Sequence, residues 1–325
     1  MTFNKTVFLP VDPDAAFALI TEPERLRRWK TVAARVDLRV GGDYRWTITP
    51  GHSAMGSFTE IEPGKRIVYT WGWEGDAGLP PGASTVTVNL EAVEGGTTVQ
   101  LIHEGLNEQQ EASHAEGWNH FLERLVLLAA NGDAGPDEWA AAPDPMNELT
   151  SAEAALAVAQ RVLGGLDESH MALPTPCADF TVAGLLDHLF GSIASIGNSL
   201  GVKVADQPAA MPEVRIADAA QATLEAFRAN GTDGTLDMGF AHLPATLVAN
   251  ILNLELLVHA WDFATATGQE LNVSPALSDY VLGLARNTIS PQMRGKSFAT
   301  ETLVAESAAS MERLIAFTGR QVAGI

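Results

Sequence analysis

The apolar residues of this chain change period once, near residue 130, and that change limits its fold more than any other feature of the sequence. Ahead of it the period is two. "DYRWTIT" alternates Tyr44, Trp46 and Ile48 with Arg45, Thr47 and Thr49, and "RIVYTWGW" puts Ile67, Tyr69, Trp71 and Trp73 on one face. "STVTVNLEAV" does so with Val86, Val88, Leu90 and Ala92, and "TTVQLIHEG" with Val99, Leu101 and His103. Gly41-Gly42, Pro50-Gly51, Pro63-Gly64, Pro80-Pro81-Gly82 and Gly95-Gly96 mark turns between the runs. Helical patterns flank them. "PDAAFALITEPERLRRW" reads as one helix, and "QQEASHAEGWNHFLERLVLLAA" as a longer one with Trp118, Phe121, Leu122, Leu125 and Val126 on its apolar face. An antiparallel sheet on a long helix, an α+β layer fold, is the simplest assembly.

"NGDAGPDEWAAAPDPMNE" has no period and is rich in Gly, Pro and Asp, so residues 133–149 read as a linker between domains 1–132 and 150–325. Beyond it the expectation is helix throughout, with no strand. Thr150 and Glu153 suggest a capping box. Thr181 suggests a cap for "VAGLLDHLFGSIASIGNSL", and Asn230-Gly231 and Gly268 suggest helix stops after "IADAAQATLEAFRA" and after Ala245–Thr267. "PALSDYVLGLARNTI" and "ETLVAESAASMERLIAF" complete an all-α set.

The net charge of −20 narrows the partners. Residues 1–149 carry 11 Lys/Arg against 22 Asp/Glu, and the rest 9 against 18, so neither half offers a basic stripe for nucleic acid or an anionic membrane. The first residues lack the features of a signal peptide, and no 18-residue apolar run is present, so the expected compartment is the cytoplasm. One cysteine, Cys177, excludes an intrachain disulfide and reads most simply as a small loop residue.

"NLELLVHAWDFATATG" holds the most informative pair. Glu255 and His259, four residues apart, share a helical face in an otherwise apolar stretch. An unpaired carboxylate there is costly, and among Leu252, Leu256 and Val258 it is expected to take up a proton unless a cation neutralises it. His188, in "GLLDHLFGSI", is a third candidate. Two imidazoles and a carboxylate suit zinc with one open position, and also nickel, manganese or iron. The alternative is that these are satisfied core side chains. Asp262 is either the acceptor that orients an imidazole or a polar residue near the helix end with no special role.

"LPTPCADFTVAGLLDHLFGS" followed by "ELLVHAWDFATATGQ" closely resembles the actinobacterial metal-binding proteins of the DinB-like and mycothiol-dependent maleylpyruvate isomerase group. The resemblance implies a four-helix bundle over roughly residues 150–320, with His188, Glu255 and His259 as metal ligands and a small thiol such as mycothiol as co-substrate. Isomerase activity itself is not implied, because those enzymes carry a further domain behind the bundle, while here a different domain stands in front. "VDPDAAFALITEPERLRRW", "VDLRVGGDYRW", "GSFTEIEPGKRIVYTWGW", "STVTVNLEAVEGGTTVQLIHEGL" and "HAEGWNHFLERL" resemble the AHSA1-like branch of the START/Bet v 1-like (SRPBCC) superfamily. That implies a helix-grip fold, a curved antiparallel sheet holding the long helix over an apolar cavity. Trp46, Tyr69, Trp71, Trp73, His103 and Trp118 lie on faces that either line that cavity or fill the core, with His103 as its polar group.

Three functions remain open on the sequence. One is a metal- and thiol-dependent transferase or isomerase in detoxification or secondary metabolism, acting on a small apolar or electrophilic molecule, with a homodimer as an allowed assembly. The second is a ligand-binding or stress-response protein with a structural metal. The third is cyclase- or hydrolase-like chemistry in the N-terminal cavity.

Overall fold

The computed structural model describes residues 2–177, 179–295 and 298–321. The chain divides into two compact units, Met1–Asp137 and Glu138–Ile325.

The first unit is built on seven strands: β1 (Thr2–Leu9), β2 (Ala33–Val36), β3 (Asp43–Thr49), β4 (His52–Glu62), β5 (Arg66–Trp71), β6 (Ser84–Val93) and β7 (Gly96–Glu104). They form one antiparallel sheet in the order β1-β7-β6-β5-β4-β3-β2. The tight β6–β7 turn needs Gly95, whose φ of 82° lies in the left-handed region. Register shifts at Thr47/Thr49 and Phe58/Glu60 bend the strands locally. The long helix α3 (Glu108–Asn131) follows α1 (Pro13–Thr21) and α2 (Pro23–Leu26) in the chain. Asn107 and Gln110 close a capping box at its start, and Gly132, at φ 78°, ends it. It packs against β1 and buries Trp118, Phe121, Leu122, Leu125 and Leu128 in the core.

The single helix expected near the start is two. Glu22 precedes Pro23 and adopts an extended backbone, because proline excludes the helical conformation from the residue before it.

The second unit contains α4 (Glu138–Ala141), α5 (Glu148–Leu163), α6 (Val182–Ser199), α7 (Pro212–Asn230), α8 (Ala245–Thr267), α9 (Pro275–Thr288) and α10 (Ser310–Phe317). α5 packs on α7, α8 and α9; α6 packs on α7 and α8; α9 packs on α8 and α10. α8 is enclosed on nearly every side. Among the described residues it alone is long and apolar enough to cross a bilayer, and 78% of its most apolar window is buried inside the fold.

Three local expectations change here. Asn147, not Thr150, caps α5, and Thr150 serves as the third helical residue that bonds back to it. Glu153 is freed from capping and pairs with Arg228. A hairpin interrupts the helices: β8 (Thr235–Asp237) pairs with β9 (His242–Pro244) around a turn held by the Asp237 side chain and Gly239. Strands of three residues are too short to display a period. Residues 301–309 are not helical, since the Thr302 amide and hydroxyl donate to the Ala316 and Arg320 carbonyls instead.

Candidate functional site

In the second unit α6 carries His188 and α8 carries Glu255 and His259. Thr181 caps α6 by accepting from the Gly184 amide, which fixes where the helix begins and so which residues face α8. The ligand-type atoms of the three residues all lie within 4.8 Å of one another. His188 Nε2 is 3.4 Å and His259 Nε2 3.5 Å from Glu255 Oε2. Oε2 is buried, yet no hydrogen bond of good geometry reaches it. The two imidazole rings stand perpendicular, 5.2 Å apart, and Phe180 covers His188 at 5.1 Å. His259 is almost fully enclosed, while the His188 side chain is 37% exposed and opens the cluster to solvent.

Behind His259 lies Asp262, fully buried. It accepts from His259 Nδ1 at 2.9 Å and takes a two-pronged grip from Arg320, at 2.8 Å and 2.7 Å. Asp262 thus holds the Nδ1 proton in place and leaves Nε2 facing Glu255. Cys177 completes a second group, with its sulfur within 4.8 Å of ligand-type atoms of His259 and Asp262. Its thiol is pushed up, chiefly by burial.

The electrostatics overturn the expectation of a protonated Glu255. Burial alone would raise its pKa, but His188 and His259 outweigh it and hold the carboxyl well below its ordinary value. Burial likewise opposes charge on His259, yet Asp262 and Glu255 push its pKa up to about 9. Without a cation, Glu255 is therefore a carboxylate facing an imidazolium.

Replacing Asp262 with Asn strands the buried Arg320 guanidinium. Breaking one side of a buried pair costs about 3 kcal/mol or more. Urea denaturation of Asp262→Asn is expected to show a loss of that size; a change under about 1 kcal/mol would mean that the Arg320 grip is energetically neutral.

In the first unit, Trp46, Tyr69, Trp71, His103 and Trp118 are all buried, and Trp73 is half-buried. Trp46 lies 5.3 Å from Tyr69 and 6.2 Å from Trp71, and Trp71 lies 5.4 Å from Trp118. His103 has no ring nitrogen to spare. Trp118 Nε1 donates to its Nδ1 at 3.0 Å, so its proton is on Nε2 and goes to Ser84 Oγ at 2.9 Å; Ser84 in turn donates to the Trp71 carbonyl. Burial, helped by His114 and Lys30, lowers its pKa to about 3, so it stays neutral. Trp73 instead donates to His114, whose Nδ1 faces the Gln110 carbonyl.

Sequence reasoning missed Lys30, Arg320 and His114. Lys30 closes the cationic run "RLRRWK" and looks like a solvated surface residue, yet it is buried against the aromatic cluster. Arg320 lies 58 residues beyond Asp262, so no spacing connects them.

Residues 10–130 match the family described as Activator of Hsp90 ATPase homolog 1-like protein. The uncharacterized protein Rv0738 of Mycobacterium tuberculosis (strain ATCC 25618 / H37Rv) is 30% identical over 185 residues, which cover 55% of this chain and 99% of that protein. The chain belongs to the family of this mycobacterial protein, and its first unit is an AHSA1-like domain. The share of the chain aligned with Rv0738 is longer than the AHSA1-like unit, so the likeness enters the second unit. Among solved structures, an AHSA1-like protein from Rhizobium etli is 41% identical, with 43% of this chain and 88% of that one covered and a TM-score of 0.37. DynU16, from the dynemicin biosynthetic locus, is 20% identical; the match covers 41% of this chain and about half, 48%, of DynU16, with a TM-score of 0.37.

Proposed function

We propose that the second unit is a four-helix bundle of the DinB-like, mycothiol-dependent isomerase type, and that His188, Glu255 and His259 hold one divalent cation. Zinc suits the donor set best, and nickel, manganese or iron are compatible with it. The observation that carries this reading is the buried Glu255 Oε2, which makes no hydrogen bond although two imidazole Nε2 atoms stand 3.4 Å and 3.5 Å away. Buried polar atoms normally have partners, and a cation between these three would satisfy the oxygen and both nitrogens at once.

On this reading the protein is a metal- and thiol-dependent transferase or isomerase acting on a small apolar or electrophilic molecule, and the AHSA1-like unit binds an apolar small molecule. A bound zinc supplies Lewis acidity and lowers the pKa of a thiol or water beside it. The chain's own residues do the positioning. Asp262, clamped by Arg320, keeps the His259 proton on Nδ1 and presents Nε2, while Phe180 orients His188. The partial exposure of His188 leaves a side on which a small thiol can approach.

Cobalt substitution tests the open position. Addition of 2-mercaptoethanol to the cobalt-loaded protein is expected to produce a thiolate-to-cobalt charge-transfer band and altered visible absorption. An unchanged spectrum would end the thiol reading and favour a closed, structural ion in a non-enzymatic ligand-binding protein.

A further inference from the structure

The AHSA1-like core holds two buried indole N–H groups with no hydrogen-bond partner, beside a lysine amine set among aromatic rings. Lys30, in the segment between α2 and β2, is only 3% exposed. Its Nζ stands 4.0 Å from the centre of the Trp46 ring, 4.7 Å from Trp118 and 5.1 Å from Trp71. Among the described residues no carboxylate pairs with it and no oxygen accepts from it. Trp46 Nε1 and Trp71 Nε1 are also buried without partners. Buried donors are rarely left unpaired, and two such indole N–H groups beside the Lys30 amine call for an acceptor that a ligand would bring.

The surroundings narrow that ligand. A carboxylate would be set against the π faces of Trp46, Trp71 and Trp118, whose quadrupoles repel negative charge. A neutral carbonyl avoids this, and its oxygen can accept from an indole N–H. We propose that this core binds a small apolar aldehyde or ketone and holds it on Lys30 as an imine. The proposal rests on the reading that the AHSA1-like unit binds an apolar molecule, and adds the functional group and the anchoring atom.

The chemistry needs no further reactant. The Nζ lone pair attacks the carbonyl carbon, a proton passes from nitrogen to oxygen to give a carbinolamine, and loss of water leaves the C=N bond. An indole N–H from Trp46 or Trp71 meets the oxygen as it gains negative charge. Burial holds the Lys30 amine well below its ordinary pKa, so its lone pair is more available than that of a surface lysine.

The test treats the full chain at neutral pH with 2-naphthaldehyde and sodium cyanoborohydride, which reduces an imine to a stable secondary amine, and maps the modified lysines by peptide mass. Lys30 is expected to be modified at least about tenfold faster than the exposed Lys65 and Lys203. Quenching of tryptophan fluorescence by 2-methylnaphthalene, which has no carbonyl, is measured alongside. Lys30→Met is expected to keep that quenching and lose the fast modification; should it fail to fold, the wild-type map alone decides. Modification of Lys30 no faster than Lys65 overturns the imine. If quenching by 2-methylnaphthalene persists in that case, the apolar-ligand reading survives; if it too is absent, both fall.

Discussion

Purified without an affinity tag, the wild-type chain is expected to carry one divalent cation and His259→Ala none. His259 is the most enclosed of the three candidate ligands and the one whose ring is locked from behind by Asp262. Losing an outer partner of a metal ligand typically costs 10–100-fold in affinity, so losing the ligand itself should cost more than about 100-fold. Elemental analysis of both proteins decides, and equal metal content in the two would remove the site. The pH dependence has a definite sign. With a pKa of about 9 in the folded protein, His259 must give up a proton to bind a cation, so affinity should rise about tenfold per pH unit from neutrality and level off near pH 9. A flat profile over that range would mean that no proton leaves His259 Nε2 when the metal binds.

The second large effect is that of Glu255→Gln, which keeps shape and removes charge. Affinity for the cation should fall sharply. In chelator, the variant should be less stable than wild type by about 1–3 kcal/mol, because a charge-assisted contact to a buried imidazolium is lost. An isolated carboxylate among leucines would give the opposite result, a variant at least as stable as wild type. The pH window follows from the two shifts. Glu255 has a depressed pKa, so its contribution is present above its unfolded value, 4.5, and is lost as pH falls. His259 has a raised pKa, so its contribution is present below its unfolded value, 6.5, and is lost as pH rises toward about 9. The wild-type advantage should therefore be largest between about pH 4.5 and 6.5 and shrink on either side. Urea melts in chelator at pH 5.5 and pH 9 measure it, and an advantage that grows with pH would show that the imidazolium is not the partner.

Asp262 shows why the candidate site was only half legible. Its spacing three residues past His259 was visible, but whether it orients the ring or lies idle depends on what approaches it. Arg320 arrives from the far end of the unit, and the grip at 2.7–2.8 Å exists only once the chain is folded. Lys30 is the converse case. Its sequence context is that of a surface cation, and only the closure of the sheet around Trp46, Trp71 and Trp118 turns it into a buried amine. His103 was visible as a buried polar residue, but its tautomer depends on Trp118 and Ser84, which reach it from α3 and β6.

What the sequence determined by itself is whatever repeats at short range. A period of two placed β3, β5, β6 and β7, and a period near 3.6 placed α3, α6, α7 and α8, with Thr181, Asn230-Gly231 and Gly268 marking one end each of the last three, because side chains two or four residues apart share a face whatever surrounds them. The same locality put Glu255 and His259 together. The sequence offered His188 as a third candidate, and tertiary structure decided the rest: the distances that bring His188 to that pair, the protonation of Glu255, the clamp of Arg320 and the burial of Lys30. The physical reason is that pKa values and hydrogen-bond partners depend on which charges and dipoles come within a few ångströms, and here some of those, His188 for Glu255 and Arg320 for Asp262, come from residues dozens of positions away in the chain.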